Sequence, residues 1–192
     1  LDTLGLMRHL GIDRAHIFGT SLGGAIAQWM ALDAPEAVRS IAMTSSFGIA
    51  TARMKAMVRW WLDSVATHGA LTEQVFNGNM SYFFSEAYFE AHVSDIEAGV
   101  AKALQVHRPV HGYLNTGNCI LTHDTMDLLG NIRCPVQLLV GEHDIITTAE
   151  HNRALAARLP HSELHVIPGA LHGFLTEVPA SFDTIQAFFQ KH

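Results

Sequence analysis

Apolar residues recur along this chain in two rhythms. Leu1, Leu4, Met7 and Leu10 fall three apart, as on one face of a helix, and Gly11 then supplies a stop. A short apolar run over 15–19, AHIFG, reads as a strand. Leu22, Ile26, Trp29 and Met30 return to helical spacing until Pro35, whose preceding residue avoids the α region. A second strand is expected over 39–44. Helix, strand, helix, strand is the signature of a parallel sheet wrapped by helices, an α/β fold.

The alternation then lapses. Residues 47–118 carry helical patterns rich in Met, Trp, Phe and Tyr but no clean strand. Polar breaks at THGA and NGN divide them into short helices, packed over the sheet as an insertion. By default this apolar stretch is core. Alternation resumes with a near-continuous apolar run over 136–140, as a strand buried on both faces requires. Thr147 with Glu150 resembles a capping box opening a helix that closes at Leu159-Pro160. SELHVIPG is a last strand, and Phe182, Ile185, Phe188 and Phe189 mark a closing amphipathic helix.

At 192 residues the chain is long enough for one domain with a sizeable core. With 48% hydrophobic and 16% charged residues it reads as folded rather than disordered. A net charge of −6 offers no basic face for phosphates, so nucleic acid is an unpromising partner. No apolar run approaches the roughly 20 residues that span a bilayer. Cys119 and Cys134 make no disulfide framework and are expected to be buried small hydrophobes in a reducing, cytoplasmic setting.

One stretch resists a purely structural explanation. In FGTSLGGAIAQWMAL a serine stands among Gly19, Gly23 and Gly24, between a predicted strand and a predicted helix. Gly19-Thr20-Ser21-Leu22-Gly23 has the form Gly-x-Ser-x-Gly, and its strand-to-helix setting is what makes it informative. A chain reversing this sharply holds the serine in a strained conformation and leaves no room for flanking side chains. The Ser21 hydroxyl is exposed, with the Leu22 N–H and the helix N-terminus aimed at the same point as an oxyanion donor. Taken alone, the pentapeptide is equally well a glycine-rich turn that contains a serine. A phosphate loop would need a Lys-Ser/Thr pair that is missing here.

A serine hydroxyl needs a base, and the base an orienting acid. In parallel sheets such groups gather at the carboxyl ends of strands. Asp144 follows the strand over 136–140, and His172 lies just beyond the strand ending at Ile167. The order is Ser, Asp, His. Glu142 and His143 flank the acid, and Asp124 is a fallback for it. Asp124 and Asp127 otherwise read as helix-start residues.

These segments resemble the α/β-hydrolase superfamily, in its single-domain esterase and enol-lactonase-like branch. FGTSLGGAIAQWMALDAPEAVRSIAM resembles that family's nucleophile elbow, helix and next strand. PVQLLVGEHDIITT resembles its acid loop, and LHVIPGALHGFLTEVPASF its histidine loop. The resemblance implies a mostly parallel sheet flanked by helices. Residues 1–46 would be core with the elbow, 47–118 a helical cap, and 119–192 core with the acid and histidine loops. It further implies Ser21 as nucleophile, His172 as general base and acid, and Asp144 as the orienting carboxylate. A serine nucleophile departs from the aspartate of epoxide hydrolases and haloalkane dehalogenases.

The likeness covers roughly the last two thirds of a family member, so the N-terminal strands and the second oxyanion donor are expected to lie upstream of Leu1. The strand over 15–19 would then present an unpaired edge, through which a homodimer can form. His107/His111 and His161/His165 have a spacing that ligates metal on a helix, but neither pair has a third ligand, and no metal or organic cofactor is implied. The expected reaction is hydrolysis of a carboxylic ester or lactone of a small, fairly apolar molecule. C–C bond or thioester hydrolysis and acyl transfer on the same triad are alternatives. A non-catalytic interaction module is a third, of another class.

Overall fold

The computed structural model describes residues 2–70, 72–106 and 109–192. Strands Ala15–Thr20 (β1), Val38–Thr44 (β2), Val136–Gly141 (β3) and Ser162–Ile167 (β4) pair in the order β1-β2-β3-β4, every neighbour parallel. Burial explains their composition. The central β3 is buried at all six positions and is apolar but for Gln137, whose Nε2 donates to Glu163, whereas β1 and β4 at the edges are only partly covered.

Successive residues of the central strands point to opposite faces. Ile41, Met43 and Leu138 face one core, packed by Met7 of the helix Asp2–His9 (α1), Met30 of Leu22–Asp33 (α2) and Leu155 of a later helix. Ala42 and Leu139 face a second core. Truncating either fully buried leucine to alanine should cost about 2–5 kcal/mol.

The α2 stripe differs from expectation. Ile26 and Trp29 remain about 40% exposed, and the face against the sheet is Ala25, Ala27, Gln28 and Ala31. Small residues win there because the helix lies close on the strands. Leu10 is likewise exposed; Gly11, at φ 69°, turns the chain as expected. Among the described residues β1 is paired on one side only, and Phe18 on it is exposed.

Between β2 and β3 the chain makes a helical excursion: Ala52–His68 (α3), Glu73–Phe83 (α4), Glu86–Ala91 (α5), Val93–Gln105 (α6) and Val110–Thr122 (α7). Thr51, Thr72 and Ser85 cap three of these by accepting from the N–H of Met54, Val75 and Tyr88. Gly69, left-handed at φ 73°, ends α3 within the THGA break. The NGN segment breaks nothing. Residues 77–79 lie inside α4, where buried Asn79 accepts a hydrogen bond from Trp61 Nε1 at 2.9 Å. A tertiary hydrogen bond outweighs the weak local propensity. The expected boundary at 118 falls within α7. The ends of the excursion instead meet where Ile49 bridges Asp124 and Thr125 N–H donates to the Gly48 carbonyl at 2.8 Å.

After β3 come Ala149–Ala156 (α8), β4, Phe174–Glu177 (α9) and Ser181–Lys191 (α10). Phe174, Ile185 and Phe188 from α9 and α10 fill the second core. The α8 cap is Thr148, which accepts from His151 N–H at 3.2 Å, rather than Thr147. Cys119 is exposed on α7 and Cys134 half-buried, against the expectation that both are buried. Burial raises the Cys134 thiol above its ordinary pKa. Among the described residues no helix is long and apolar enough to cross a membrane.

Candidate active site

The turn from β1 to α2 is a single residue. Thr20 ends the strand, Leu22 opens the helix, and Ser21 between them adopts φ 53°, ψ −115°. A non-glycine residue there is strained, and the neighbours hold it in place. Ser21 N–H donates to the Thr44 carbonyl at 2.8 Å, and its carbonyl accepts from Gly24 N–H and Ser46 Oγ. A Cβ at Gly19 would overlap the Gly23 backbone, and one at Gly24 would overlap Ser46. Gly23 departs from expectation, because a Cβ there meets nothing within 4 Å. At the first turn of α2 the Leu22 N–H has no intrahelical acceptor.

Asp144 sits past the end of β3, 3% exposed. Its Oδ1 accepts from the N–H groups of Ile146 and Thr147 at 2.8 and 2.9 Å. Oδ2 accepts from Thr147 Oγ at 2.7 Å and from His172 Nδ1 at 2.8 Å. Burial pushes this carboxyl's pKa up, but the His172 hydrogen bond and charge and the Thr147 donors outweigh it, leaving it below the ordinary value. A carboxylate only accepts, so Nδ1 of His172 carries the proton and Nε2 is left with its lone pair.

The sequence marks Thr147 as a helix cap. It is instead the hydroxyl that holds the acid. An Asp followed three residues later by Thr is the local signal, since such pairs close side-chain-to-backbone turns.

His172, 5% exposed, is fixed from several sides. Its carbonyl accepts from Ser45 Oγ at 3.0 Å. Phe83 from the end of α4 meets its ring edge to face, and Gly173 N–H donates to the Phe83 carbonyl. Two residues beyond Phe83, Ser85 donates from N–H and Oγ to the Glu177 carboxylate, at 2.9 and 2.5 Å. The acid and histidine loops also bond directly. Glu142 Oε2 accepts from Gly169 N–H, and His143 N–H donates to the Ala170 carbonyl. Both side chains beside Asp144 are exposed, so they do not compete with it.

Ser21 and His172 line one cavity of about 400 Å³, whose wall is otherwise mostly apolar, with Phe47, Met54, Met57 and Trp61 beside Thr20 and Thr176. Among the described residues no direct hydrogen bond joins the Ser21 hydroxyl to the imidazole. The fallback acid lies elsewhere. Asp124 is exposed, and its carboxylate accepts from Met126 N–H in a local turn. Asp127 also lies in a turn, so neither opens a helix. His165 pairs with Glu163 at 3.4 Å along β4, and His107 lies outside the described residues.

Comparison with known proteins agrees with this architecture. Residues 1–178 match the family model described as alpha/beta hydrolase fold. A pimeloyl-[acyl-carrier protein] methyl ester esterase of Chromobacterium violaceum is 30% identical over 162 residues, covering 82% of this chain and 63% of that protein. The 3-oxoadipate enol-lactonase 2 of Acinetobacter baylyi is 23% identical over 182 residues, covering 95% and 66%. The chain thus spans about two thirds of the length of these curated relatives. An alpha/beta hydrolase enzyme from a Medee basin deep-sea metagenome library superimposes with TM-score 0.88 at 23% identity, over 99% of this chain and 70% of that one. Such identities speak for fold rather than substrate. With residues 1–178 of its 192 matched by the family model, the chain belongs to the alpha/beta hydrolase fold family.

Proposed function

We propose that this protein is a serine hydrolase that cleaves a carboxylic ester or lactone of a small, fairly apolar substrate through an acyl-enzyme. Ser21 attacks the carbonyl carbon as His172 Nε2 takes its proton. Asp144 holds the imidazole in the required tautomer and steadies the imidazolium. The Leu22 N–H donates to the tetrahedral oxyanion. His172 returns the proton to the leaving alcohol, and water then repeats the sequence on the acyl-enzyme. Helices α3–α7 serve as the cap that supplies the apolar pocket, and a reducing, cytoplasmic setting is part of the same proposal.

The observation that carries this reading is the 2.8 Å bond from His172 Nδ1 to Asp144, with the imidazole on the wall of the cavity that Ser21 also lines. The named relatives include an esterase and an enol-lactonase, both of which act on ester bonds. A fluorophosphonate probe tests it. Ser21 should be the labelled residue, and labelling should vanish in Ser21→Ala; a protein that takes up no probe is not a serine hydrolase of this kind.

A further inference from the structure

A second cavity, of about 450 Å³, lies in the seam between α3 and α7. Its relation to the first is written along α3. Met54 and Met57 line only the cavity at Ser21, Val58 and Trp61 line both, and Leu62 and Val65 line only the second. At 1.5 Å per residue that progression covers roughly 16 Å. Ile120 of α7 also faces both. The wall common to both cavities is therefore three side chains, Val58, Trp61 and Ile120. Trp61 is held there by its Nε1–H bond to Asn79.

The chemistry of the second cavity is apolar. Val58, Leu62, Val65, Pro109 and Ile120 are hydrocarbon, and the Thr116 hydroxyl is committed to the Gly112 carbonyl at 2.8 Å. Tyr113 adds a phenol to the lining, but among the described residues no charged side chain stands on it, so the space favours hydrocarbon over a charged terminus. Passage along the common wall suits a slim chain better than a ring. Each cavity alone is near the small end of ligand sites, and together they match a larger ligand.

We propose that the two cavities form one bipartite site for an ester bearing an unbranched apolar acyl chain of about eight carbons or more. The ester group lies at Ser21, and the acyl chain passes Trp61 into the α3–α7 seam. This rests on the hydrolase reading for the position of the ester, but the chain site stands on its own lining. Each methylene moved from water into it should raise kcat/KM by up to about fourfold.

Gly112 gives the means of testing it. A Cβ there meets only Pro109 Cγ, at 3.9 Å, so a larger side chain enters open space beside the second cavity. With p-nitrophenyl esters, kcat/KM for the octanoate should exceed that for the butyrate at least tenfold, and Gly112→Phe should collapse that ratio toward one. Thr116→Trp, from the neighbouring turn, is the second plug should the first variant fold poorly. The same comparison on the alcohol side, octyl acetate against butyl acetate, should show a smaller ratio, and a chain-length preference confined to the alcohol side would overturn the proposed path of the acyl chain.

Calorimetric titration of decanoate into Ser21→Ala supplies a readout that needs no turnover. Binding that Gly112→Phe weakens at least tenfold supports the chain site even if no ester is hydrolysed, in which case the hydrolase reading alone falls. Ester hydrolysis with equal rates on butyrate and octanoate, or a ratio untouched by both plugs, overturns the bipartite site and leaves the hydrolase reading intact.

Discussion

Phe83 stands edge-on to His172, ring centroids 5.0 Å apart and planes at 78°, while its carbonyl accepts from Gly173 N–H at 2.7 Å. The end of α4 and the histidine loop are thus joined by a ring, a backbone hydrogen bond and, two residues on, the Ser85–Glu177 pair. Glu177 acts through the loop rather than on substrate. Glu177→Ala should cost about 1–2 kcal/mol, from the two hydrogen bonds lost when Ser85 N–H and Oγ have no acceptor and from the loosened start of α5, or some 2–8 °C in Tm. Differential scanning calorimetry measures this. Glu177→Gln, which keeps one accepting oxygen, should recover part of it, and a Tm equal to wild type in the alanine variant would show that the pair does not hold the loop.

Ser21→Ala should lower kcat by about 10⁶ on p-nitrophenyl butyrate while the far-ultraviolet circular dichroism stays unchanged. The mutation removes one oxygen from a turn whose backbone bonds to Thr44 and Ser46 remain. Substantial residual turnover would move the nucleophile to another residue.

Asp144→Asn should lower kcat on the order of 10⁴, because an amide no longer selects the tautomer that leaves Nε2 free. A pH signature accompanies it. The folded-state pKa of Asp144 lies below its unfolded value, so the folded state binds fewer protons there. Its stabilisation is full above the ordinary carboxylate range and is lost as pH falls through the depressed folded value. Urea midpoints taken from neutrality down to pH 3 should fall for the wild type and fall less for Asp144→Asn. Parallel profiles would mean that this carboxylate contributes no acid sensitivity.

The two glycines beside the serine should part company. Gly19→Ala must displace the Gly23 backbone and is expected to destabilise by several kcal/mol, read as loss of soluble protein or a large drop in Tm. Gly23→Ala meets open space and, on a helix, should be neutral or gain up to about 1 kcal/mol. Equal effects at both positions would contradict the packing of the elbow.

The gathering of Ser21, Asp144 and His172 at one edge of the sheet was legible because strand order dictates it. Ser21, Asp144 and His172 each follow a strand that periodicity alone marks, and a parallel sheet delivers all such loops to one edge. The supporting residues were not. Thr147 resembled a cap because Ser and Thr serve caps and turns alike, and only the loop's fold turns its hydroxyl toward Asp144. Phe83 was one aromatic among many in a helical stretch. Its meeting with His172 joins positions that no local pattern connects. The α2 face was misread for a related reason: large apolar residues attract attention, yet close helix–strand approach selects alanine. Asn77, Gly78 and Asn79 suggest a break, and the bond from the Trp61 indole N–H to buried Asn79 overrules it.

The clasp at Gly48, Ile49, Asp124 and Thr125 has a consequence for redesign. Because the two ends of the five-helix excursion are fastened side by side at the sheet, whatever lies between them can be lengthened, shortened or replaced wholesale while the strands carrying Ser21, Asp144 and His172 keep their register. A designer grafting a foreign helical segment between residues 49 and 124 inherits a ready-made socket.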